Sequence, residues 1–421
     1  MTNSECGRSP GLRGFPRTRS ERLPILAVFL FAQAAMAQSL SGLWSATITV
    51  NDLEIPFRMQ FSGVGSNIQG CFFNGDDKVP STSGHLENGT LVLNFAHYAT
   101  ELRATLKDGL LQGEYASARR TYPFKAKPYV AQPQPDAAAP SIAGFWEIAV
   151  KSPKGESAWR LIVRQSGADV SAAILRVDGD TGALTGSYHD GKFVLSHFSG
   201  ARPALLTLTP AADGTLAVTL ADSRGKNDLV ATRPAMARAK GLAEPTDPSR
   251  HTSVKDPAEP FHFSFPDLNG HLVSNDDPRF EGKVVIVSIM GSWCPNCHDE
   301  APFLAALYRK YRGEGLQIVA LSFEEAEQLK NPARLRAFIA QYGIEYTVLL
   351  AGEPSELNAK LPQGVNLNCW PTTFILGRDG RVRAVHAGFP GHASGELRAE
   401  AEREVTSTVE GLLAENFHSS R

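Results

Sequence analysis

The sequence predicts a multidomain protein in which a duplicated all-β region precedes an α/β domain. Three observations predict this: the length of the chain, an internal repeat at a spacing of 102 residues, and strands that alternate with helices beyond about residue 260. With 421 residues, the chain is too long for one ordinary core. Its hydrophobic fraction of 42% and charged fraction of 20% are typical of a soluble globular protein. The net charge of −2 provides no basic excess to neutralise phosphates, so we expect no nucleic-acid partner.

The N-terminal segment is typical of a secretory signal peptide. Five arginines precede a short apolar run at residues 23–35, which is too short to span a bilayer comfortably. The run ends in Ala35, Met36 and Ala37, with small residues at both positions that cleavage requires. We therefore expect cleavage before Gln38 and export to the periplasm. An uncleaved segment would instead tether the protein to a membrane.

The region that follows contains two copies of one sequence. At an offset of 102 residues, without a gap, identical residues fall in register over about fifty positions, which indicates a duplication. Each copy alternates polar and apolar residues and carries Asn-Gly or Asp-Gly between apolar runs, as β-hairpins do. We expect an antiparallel barrel or sandwich from each copy, or one larger barrel built from both. The matched residues include Gly42 and Gly144, Trp44 and Trp146, Glu54 and Glu156, Arg58 and Arg160, and Asp76 and Asp178.

Trp44 and Trp146 start equivalent strands. Paired aromatic residues at such positions are usually core residues, and we expect these two to lie in the cores of their copies rather than in a ligand site.

Two proline-rich segments, residues 128–140 and 233–260, are predicted to be extended linkers. The predicted organisation is a signal peptide at 1–37, β repeats at 38–128 and 140–235, and an α/β domain at 255–421.

The α/β domain is predicted from alternating strands and helices. The unbroken apolar run at residues 284–289 suits a strand that is buried on both faces. A helix should begin between Cys294 and Cys297 and end near residue 312. Further strands are predicted at 316–323, 346–351, 373–376 and 381–387, and further helices at 331–342 and 396–413.

The chemistry is predicted at residues 293–297, which read WCPNC. The two cysteines lie where a buried strand leads into a helix, whose free N–H groups and partial positive charge stabilise a thiolate. Two intervening residues form about one helical turn, so Cys294 and Cys297 are close enough for a disulfide. We expect Cys294 to be the exposed nucleophile and Cys297 the buried resolving thiol. This redox-active pair requires no separate cofactor.

From about residue 260 to residue 413 the sequence resembles the thioredoxin superfamily, and within it the periplasmic TlpA/ResA-like branch. The resemblance implies a thioredoxin-like fold and a thiol:disulfide oxidoreductase that acts on protein thiols or disulfides. We expect it to act in the reductive direction, for which an exported enzyme needs an electron donor in the membrane; an oxidase would need an acceptor there. The resemblance rests on residues 282–287 (GKVVIV), 293–297, 300–304 (EAPFL), 370–376 (WPTTFIL) and Asp379-Gly380.

The resemblance also implies roles for individual residues. Pro371 would be a cis-proline beside the cysteines, and Trp293, Trp370 and Pro371 would contact the substrate. Glu300 matches an acidic residue that relatives carry three positions after the second cysteine. A partly buried carboxylate there could exchange protons with Cys297, or it could simply be a favourable charge at a helix N-terminus.

The sequence departs from the common pattern of this branch at three places. The central dipeptide is Pro295-Asn296, so the redox potential of relatives cannot be carried over. Trp370 replaces a small or β-branched residue before the cis-proline. Cys369 has no counterpart, and it is either a third redox thiol or a buried inert cysteine. Cys71 aligns with an alanine in the other copy, so we expect it to be a small core residue. The alternative is a Cys71–Cys369 disulfide that links the domains.

Other interpretations explain less of the sequence. A zinc site needs two more ligands, and His298 would point away from the cysteines, so we expect no metal. A peroxidase of the peroxiredoxin type would need a lone cysteine after a Pro- and Thr-containing loop. The acidic residues 324–327 are predicted to form a solvated face. The remaining alternative is a binding protein whose β region captures a ligand or partner, with the dithiol secondary.

Overall fold

The structure is a computed structural model that describes residues 40–131 and 139–415. The expected signal peptide at residues 1–37 and the centre of the first linker, residues 132–138, lie outside the described residues. In the described ranges, no helix combines the length and apolar character needed to cross a membrane.

The first copy forms one antiparallel sheet of nine strands. The strands are β1 (Gly42–Val50), β2 (Leu53–Val64), β3 (Asn67–Asn74), β4 (Asp77–Pro80), β5 (Ser83–Glu87), β6 (Thr90–Phe95), β7 (Thr100–Lys107), β8 (Leu110–Ser117) and β9 (Thr121–Pro128). Their order is β4-β3-β2-β1-β9-β8-β7-β6-β5. In β1 every second residue is buried, as the period of two predicts. The sheet curls into a half-barrel, in which the Leu86 N–H donates to the Gly65 carbonyl at 2.8 Å near its open edge.

The second copy closes into a barrel. Its strands are β10 (Gly144–Ala149), β11 (Ala158–Ser166), β12 (Asp169–Arg176), β13 (Gly179–Asp180), β14 (Leu184–His189), β15 (Lys192–His197), β16 (Ala204–Pro210), β17 (Leu216–Asp222) and β18 (Gly225–Thr232). Closure follows because β11 pairs with both β10 and β12. The expected barrel is confirmed for the second copy, whereas the first copy forms a half-barrel. The alternatives of a sandwich and of one shared barrel are wrong, since each copy pairs its own strands around its own core.

The duplication is visible in equivalent hydrogen bonds. The Trp44 indole N–H donates to the Leu40 carbonyl, and the Trp146 indole N–H donates to the Ile142 carbonyl, both at 2.8 Å. Both tryptophans are buried, so they are core residues as expected.

The second proline-rich segment is not extended throughout. It contains helices α1 (Pro234–Ala239) and α2 (Pro248–His251) and strand β19 (Ser253–Val254). Each helix begins at a proline, whose fixed φ suits the first helical position and whose missing N–H costs nothing there. The Asp247 side chain caps α2 by accepting from the Ser249 N–H at 2.9 Å. The prolines therefore start helices instead of marking an extended linker.

The α/β domain is built on a five-stranded mixed sheet with the order β24-β23-β22-β26-β27. Its elements are β20 (Ser264–Pro266), β21 (Leu272–Ser274), β22 (Val284–Met290), α3 (Pro295–Tyr311), β23 (Leu316–Phe323), α4 (Ala326–Lys330), α5 (Ala333–Tyr342), β24 (Thr347–Gly352), α6 (Leu357–Lys360), β25 (Gly364–Val365), β26 (Thr372–Leu376), β27 (Val382–Ala387) and α7 (Glu396–Ala414). Strands β22, β23 and β24 are parallel, whereas β26 and β27 are antiparallel to their neighbours.

The central strand β22 is buried along its whole length, as its unbroken apolar run predicts. Helices α3, α5 and α7 pack on one face of the sheet, and α6 and the β20–β21 hairpin contribute to the core on the other. The predicted boundaries of the main strands and helices lie within about two residues of those observed. This arrangement places the N-terminus of α3 directly after β22.

Candidate active site

The two cysteines lie at the start of α3. Cys294 is the N-cap residue, Pro295 is the first helical residue, and Cys297 follows in the first turn. The Cys294 carbonyl accepts hydrogen bonds from the N–H groups of Cys297 at 3.1 Å and His298 at 3.3 Å. The helix therefore begins as predicted, with the first cysteine at its positive end.

Both cysteines are buried, with exposed fractions of 4% for Cys294 and 2% for Cys297. Burial raises the pKa of the Cys297 thiol well above its ordinary value, and the neighbouring Cys294 sulfur raises it further. The expectation of a buried second cysteine holds in the structure. The expectation of an exposed Cys294 is wrong, and residues outside the α/β domain, Tyr98 and Arg202 among them, lie against the start of α3.

The loop before β26 lies against the first cysteine. The Trp370–Pro371 peptide bond is cis, as the resemblance implied. The Cys294 thiol donates to the Trp370 carbonyl at a distance of 3.5 Å. The Trp293 and Trp370 rings meet edge to face, with centroids 5.3 Å apart. The structure thus brings together Trp293, Cys294, Trp370 and Pro371.

Glu300 lies one turn beyond Cys297 and is buried, with 4% exposed. It accepts hydrogen bonds from Ser288 Oγ at 2.9 Å and Thr373 Oγ1 at 2.6 Å. Burial raises the pKa of the Glu300 carboxyl to about 7, although these two hydrogen bonds oppose the rise. Its charge also contributes to the raised pKa of Cys297. Glu300 is therefore a buried acid near the second cysteine and not a solvated charge at a helix end.

Sequence reasoning missed an ion pair that supports the loop before Cys294. Glu324 is fully buried and accepts from the Ser292 N–H at 2.7 Å and Ser292 Oγ at 2.8 Å. Arg334 from α5 donates to Glu324 at 2.7 Å and to Ser292 Oγ at 2.8 Å, and it also contacts Glu325. The prediction of a solvated face at 324–327 is wrong for Glu324. Its position directly after the apolar strand β23 was the signal that could have indicated burial.

His298 is also buried. Its ring lies 2.9 Å from both the Ser292 carbonyl and the Tyr342 hydroxyl, and burial lowers its pKa to about 3. Both ring nitrogens therefore have partners within the fold. Across the described ranges, no group of three or more His, Cys, Asp or Glu side chains is arranged to hold a metal ion.

All four cysteines in the described ranges are free thiols, so the structure contains no Cys71–Cys369 disulfide. Cys71 is a buried residue of β3, whereas Cys369 is fully buried beside the cis-proline loop. Burial raises the pKa of Cys369 to about 12.

We expect Cys369→Ala to leave the rate of disulfide exchange unchanged, because a thiol with this pKa is protonated at neutral pH and is a poor nucleophile. The measurement is the reduction rate of a small aromatic disulfide by the reduced full chain. A large loss of rate would show that Cys369 takes part in exchange.

The mixed sheet, the two cysteines at a helix N-terminus and the cis-proline loop opposite them define a thioredoxin-like domain. Residues 254–385 match the AhpC/TSA family. The thioredoxin-like protein YneN of Bacillus subtilis (strain 168) is 31% identical over 126 residues, which cover 30% of this chain and 68% of YneN. By this relationship the chain belongs to the thioredoxin-like family.

Two further similarities concern the same part of the chain. The thiol-disulfide oxidoreductase ResA of Bacillus thuringiensis subsp. konkukian (strain 97-27) is 32% identical over 124 residues, or 29% of this chain. The chain spans 63% of the length of that ResA. The crystal structure of a thiol:disulfide interchange protein from Chlorobium tepidum TLS is 25% identical, with 37% of this chain and 99% of that chain covered and a TM-score of 0.28.

Proposed function

We propose that the protein is an exported thiol:disulfide oxidoreductase that exchanges disulfides with protein substrates through Cys294 and Cys297, in the reductive direction. The observation that carries the proposal is the placement of Cys294 at the N-terminus of α3, against the Trp370 carbonyl, with Cys297 one turn along. The similarity to proteins named thiol-disulfide oxidoreductases supports the reaction class. The sequence of the N-terminal segment supports export.

The exchange proceeds in two displacements. The Cys294 thiolate attacks one sulfur of the substrate disulfide, which forms a mixed disulfide and releases the other substrate sulfur as a thiolate. The Cys297 thiol then loses its proton and attacks Cys294, which closes the Cys294–Cys297 disulfide and releases the second substrate thiolate. The proton that Cys294 gave up to solvent on ionising and the proton taken from Cys297 balance the two that end on the substrate thiols, and two electrons pass from the protein to the substrate.

Glu300 is suited to take the Cys297 proton. A base acts best when its pKa lies near the working pH, and the Glu300 carboxyl has a pKa of about 7. The buried Cys297 needs such a base because its own pKa is raised. The oxidised protein must then be reduced again, for which we propose an electron donor in the membrane.

We expect Glu300→Gln to slow exchange by about a hundredfold at neutral pH, since an amide cannot accept the proton. In the wild-type rate profile, an ionisation near pH 7 should be present, and the variant should lack it. The measurement is the pH dependence of the exchange rate with a small disulfide. An unchanged profile in the variant would remove Glu300 from the mechanism.

Glu300 should also affect stability. The pKa of Glu300 is about 7 in the folded chain and 4.5 ordinarily, so the folded chain holds this proton more tightly than the unfolded chain. The resulting stabilisation is fully present below pH 4.5 and is lost as the pH rises through about 7. Between about pH 4 and pH 8, the free energy of unfolding of the wild type should fall by about 3 kcal/mol relative to that of Glu300→Gln. Urea unfolding of both chains at the two pH values measures this, and a constant difference would contradict it.

One observation favours the alternative of a binding protein. A cavity of about 370 Å³ lies between the second copy, the segment before α2 and helix α7. Its lining includes Glu156, Arg160, Arg176, Glu244, His386 and Glu404. Complete absence of exchange with small and protein disulfides in the reduced full chain would favour this alternative over the proposed enzyme.

A further inference from the structure

Both copies of the β region contact the face of the α/β domain around Cys294: Tyr98 of the first copy packs on His298, and the second copy forms hydrogen bonds to Asn296 and Asp299. The contacts of the second copy come from residues 177–180, which comprise the turn after β12 and strand β13, and from Arg202 before β16. This segment lies alongside the loop after β27, where Gly179 and Phe389 form a parallel β-bridge. The Ser394 hydroxyl donates to the Asp180 carboxylate at 2.6 Å. A segment of the chain thus pairs through its backbone beside the dithiol.

The unusual residue between the two cysteines takes part in this contact. The Asn296 side-chain N–H donates to the Asp178 carbonyl at 2.6 Å, and its Oδ1 accepts from Arg202 at 2.7 Å. Both ends of the amide are therefore used by the second copy. Asn296, one of the two residues that depart from the common pattern, is therefore used for docking within the chain.

Arg202 links both sides of the contact. Its guanidinium donates to the Asp180 carbonyl at 2.9 Å and to the Asp299 carboxylate at 3.1 Å, in addition to Asn296. The side chains of Arg202 and Asp299 are 18% and 15% exposed, so solvent screens this ion pair only weakly.

The backbones approach so closely that only glycine fits at two positions. A Cβ atom on Gly179 would lie 2.4 Å from the Phe389 carbonyl oxygen and 2.7 Å from the Asn296 side chain. A Cβ atom on Gly388 would lie 2.2 Å from the Val177 carbonyl oxygen. These contacts leave no room for a substrate segment between the second copy and the loop that follows β27.

We infer that residues 177–180 occupy the surface on which a protein substrate must lie to reach Cys294, and that such a substrate binds only after this segment has left. The inference rests on the proposed function. The contact consists largely of hydrogen bonds and charged groups, which water and a competing backbone can replace. The partner that fits the vacated surface is an extended protein segment, which pairs with Phe389 and Asn296 as residues 177–180 do. Cys294 thus has two states, covered by its own chain or accessible to substrate.

The test is the alkylation rate of Cys294 by iodoacetamide in the reduced full chain, followed by peptide mass mapping. Gly179→Ala places a methyl group against Phe389 and Asn296. Gly225→Ala is the matched control. The φ of Gly225 is +129°, similar to the +121° of Gly179, but no atom lies within 4 Å of the position that a Cβ on Gly225 would occupy. We expect Gly179→Ala to raise the rate at least about tenfold, whereas Gly225→Ala should match the wild type.

Arg202→Ala provides a second variant if Gly179→Ala fails to fold. It removes two hydrogen bonds to the covered face, at Asn296 and Asp299, and one to Asp180 within the second copy, and should likewise raise the alkylation rate. Equal alkylation rates in the wild type and in whichever of these variants folds would overturn the inference. Alkylation needs no turnover, so this result is distinct from a failure of the proposed enzyme activity.

Discussion

Replacement of Cys294 by serine is expected to abolish disulfide exchange. Serine keeps the shape of the side chain, but its hydroxyl is not ionised at neutral pH and cannot form the mixed disulfide. The rate should fall by at least ~10³-fold, the scale on which enzymes lose activity when a covalent nucleophile is removed. Cys297→Ser should behave differently, because its Cys294 still attacks but nothing resolves the intermediate. We expect this variant to accumulate mixed disulfides, which are visible by mass spectrometry.

The matched control for these variants is Cys71→Ser, which makes the same change at a buried free thiol of the first copy. Its exchange rate should equal that of the wild type. Retention of activity in Cys294→Ser, or loss of activity in all three variants alike, would contradict the assigned roles.

Arg334→Ala is expected to destabilise the α/β domain by about 3–5 kcal/mol, because it leaves the Glu324 carboxylate buried without its cation. The side chain of Glu324 is fully buried, and that of Arg334 is 10% exposed. The measurement is the urea concentration at which Cys297 becomes open to pulsed alkylation, which reports the unfolding of this domain and not of the barrels. The loop before Cys294 should loosen as well, since Ser292 loses its contact with Arg334.

Arg119→Ala is the control for this prediction. Arg119 lies in the first copy, its side chain is 61% exposed, and it pairs with Glu325, as Arg334 does. Exposed ion pairs contribute little to stability, so Arg119→Ala should lower the free energy of unfolding by less than about 1 kcal/mol. Similar losses for both variants would show that burial of Glu324 does not determine the effect.

The local elements of the α/β domain were predictable because their signals are local. Strand β22 is an unbroken apolar run, and helix α3 begins where Pro295 follows a suitable N-cap position. For the β region, the sequence predicted antiparallel strands in each copy but not whether each sheet closes. Closure of the second copy depends on the pairing of β11 with β12 as well as β10, and the first copy remains a half-barrel. No local pattern distinguishes these outcomes in two copies with the same periodicity.

The covered dithiol could not be predicted, because the residues that form the contact lie far apart in the chain. Asn296 is separated from Arg202 by 94 positions and from Asp178 by 118. Each has an ordinary local interpretation, as a helix residue, a surface cation or a hairpin acid. In the sequence, Asp178 matches Asp76 of the first copy, and this match gives no sign of a contact with Asn296. The one local hint was the departure of Pro295-Asn296 from the pattern of the family that the sequence resembles, and the contacts of Asn296 became apparent only from the folded chain.

The central claim is that Cys294 and Cys297 form one reversible dithiol. The most direct test equilibrates the full chain with glutathione buffers of defined potential and quantifies each thiol by alkylation and peptide mapping. Cys294 and Cys297 should become protected together in a single two-electron transition, while Cys71 and Cys369 stay reduced. Independent titration of the two sulfurs, or a lasting glutathione adduct on Cys294 without protection of Cys297, would contradict the claim.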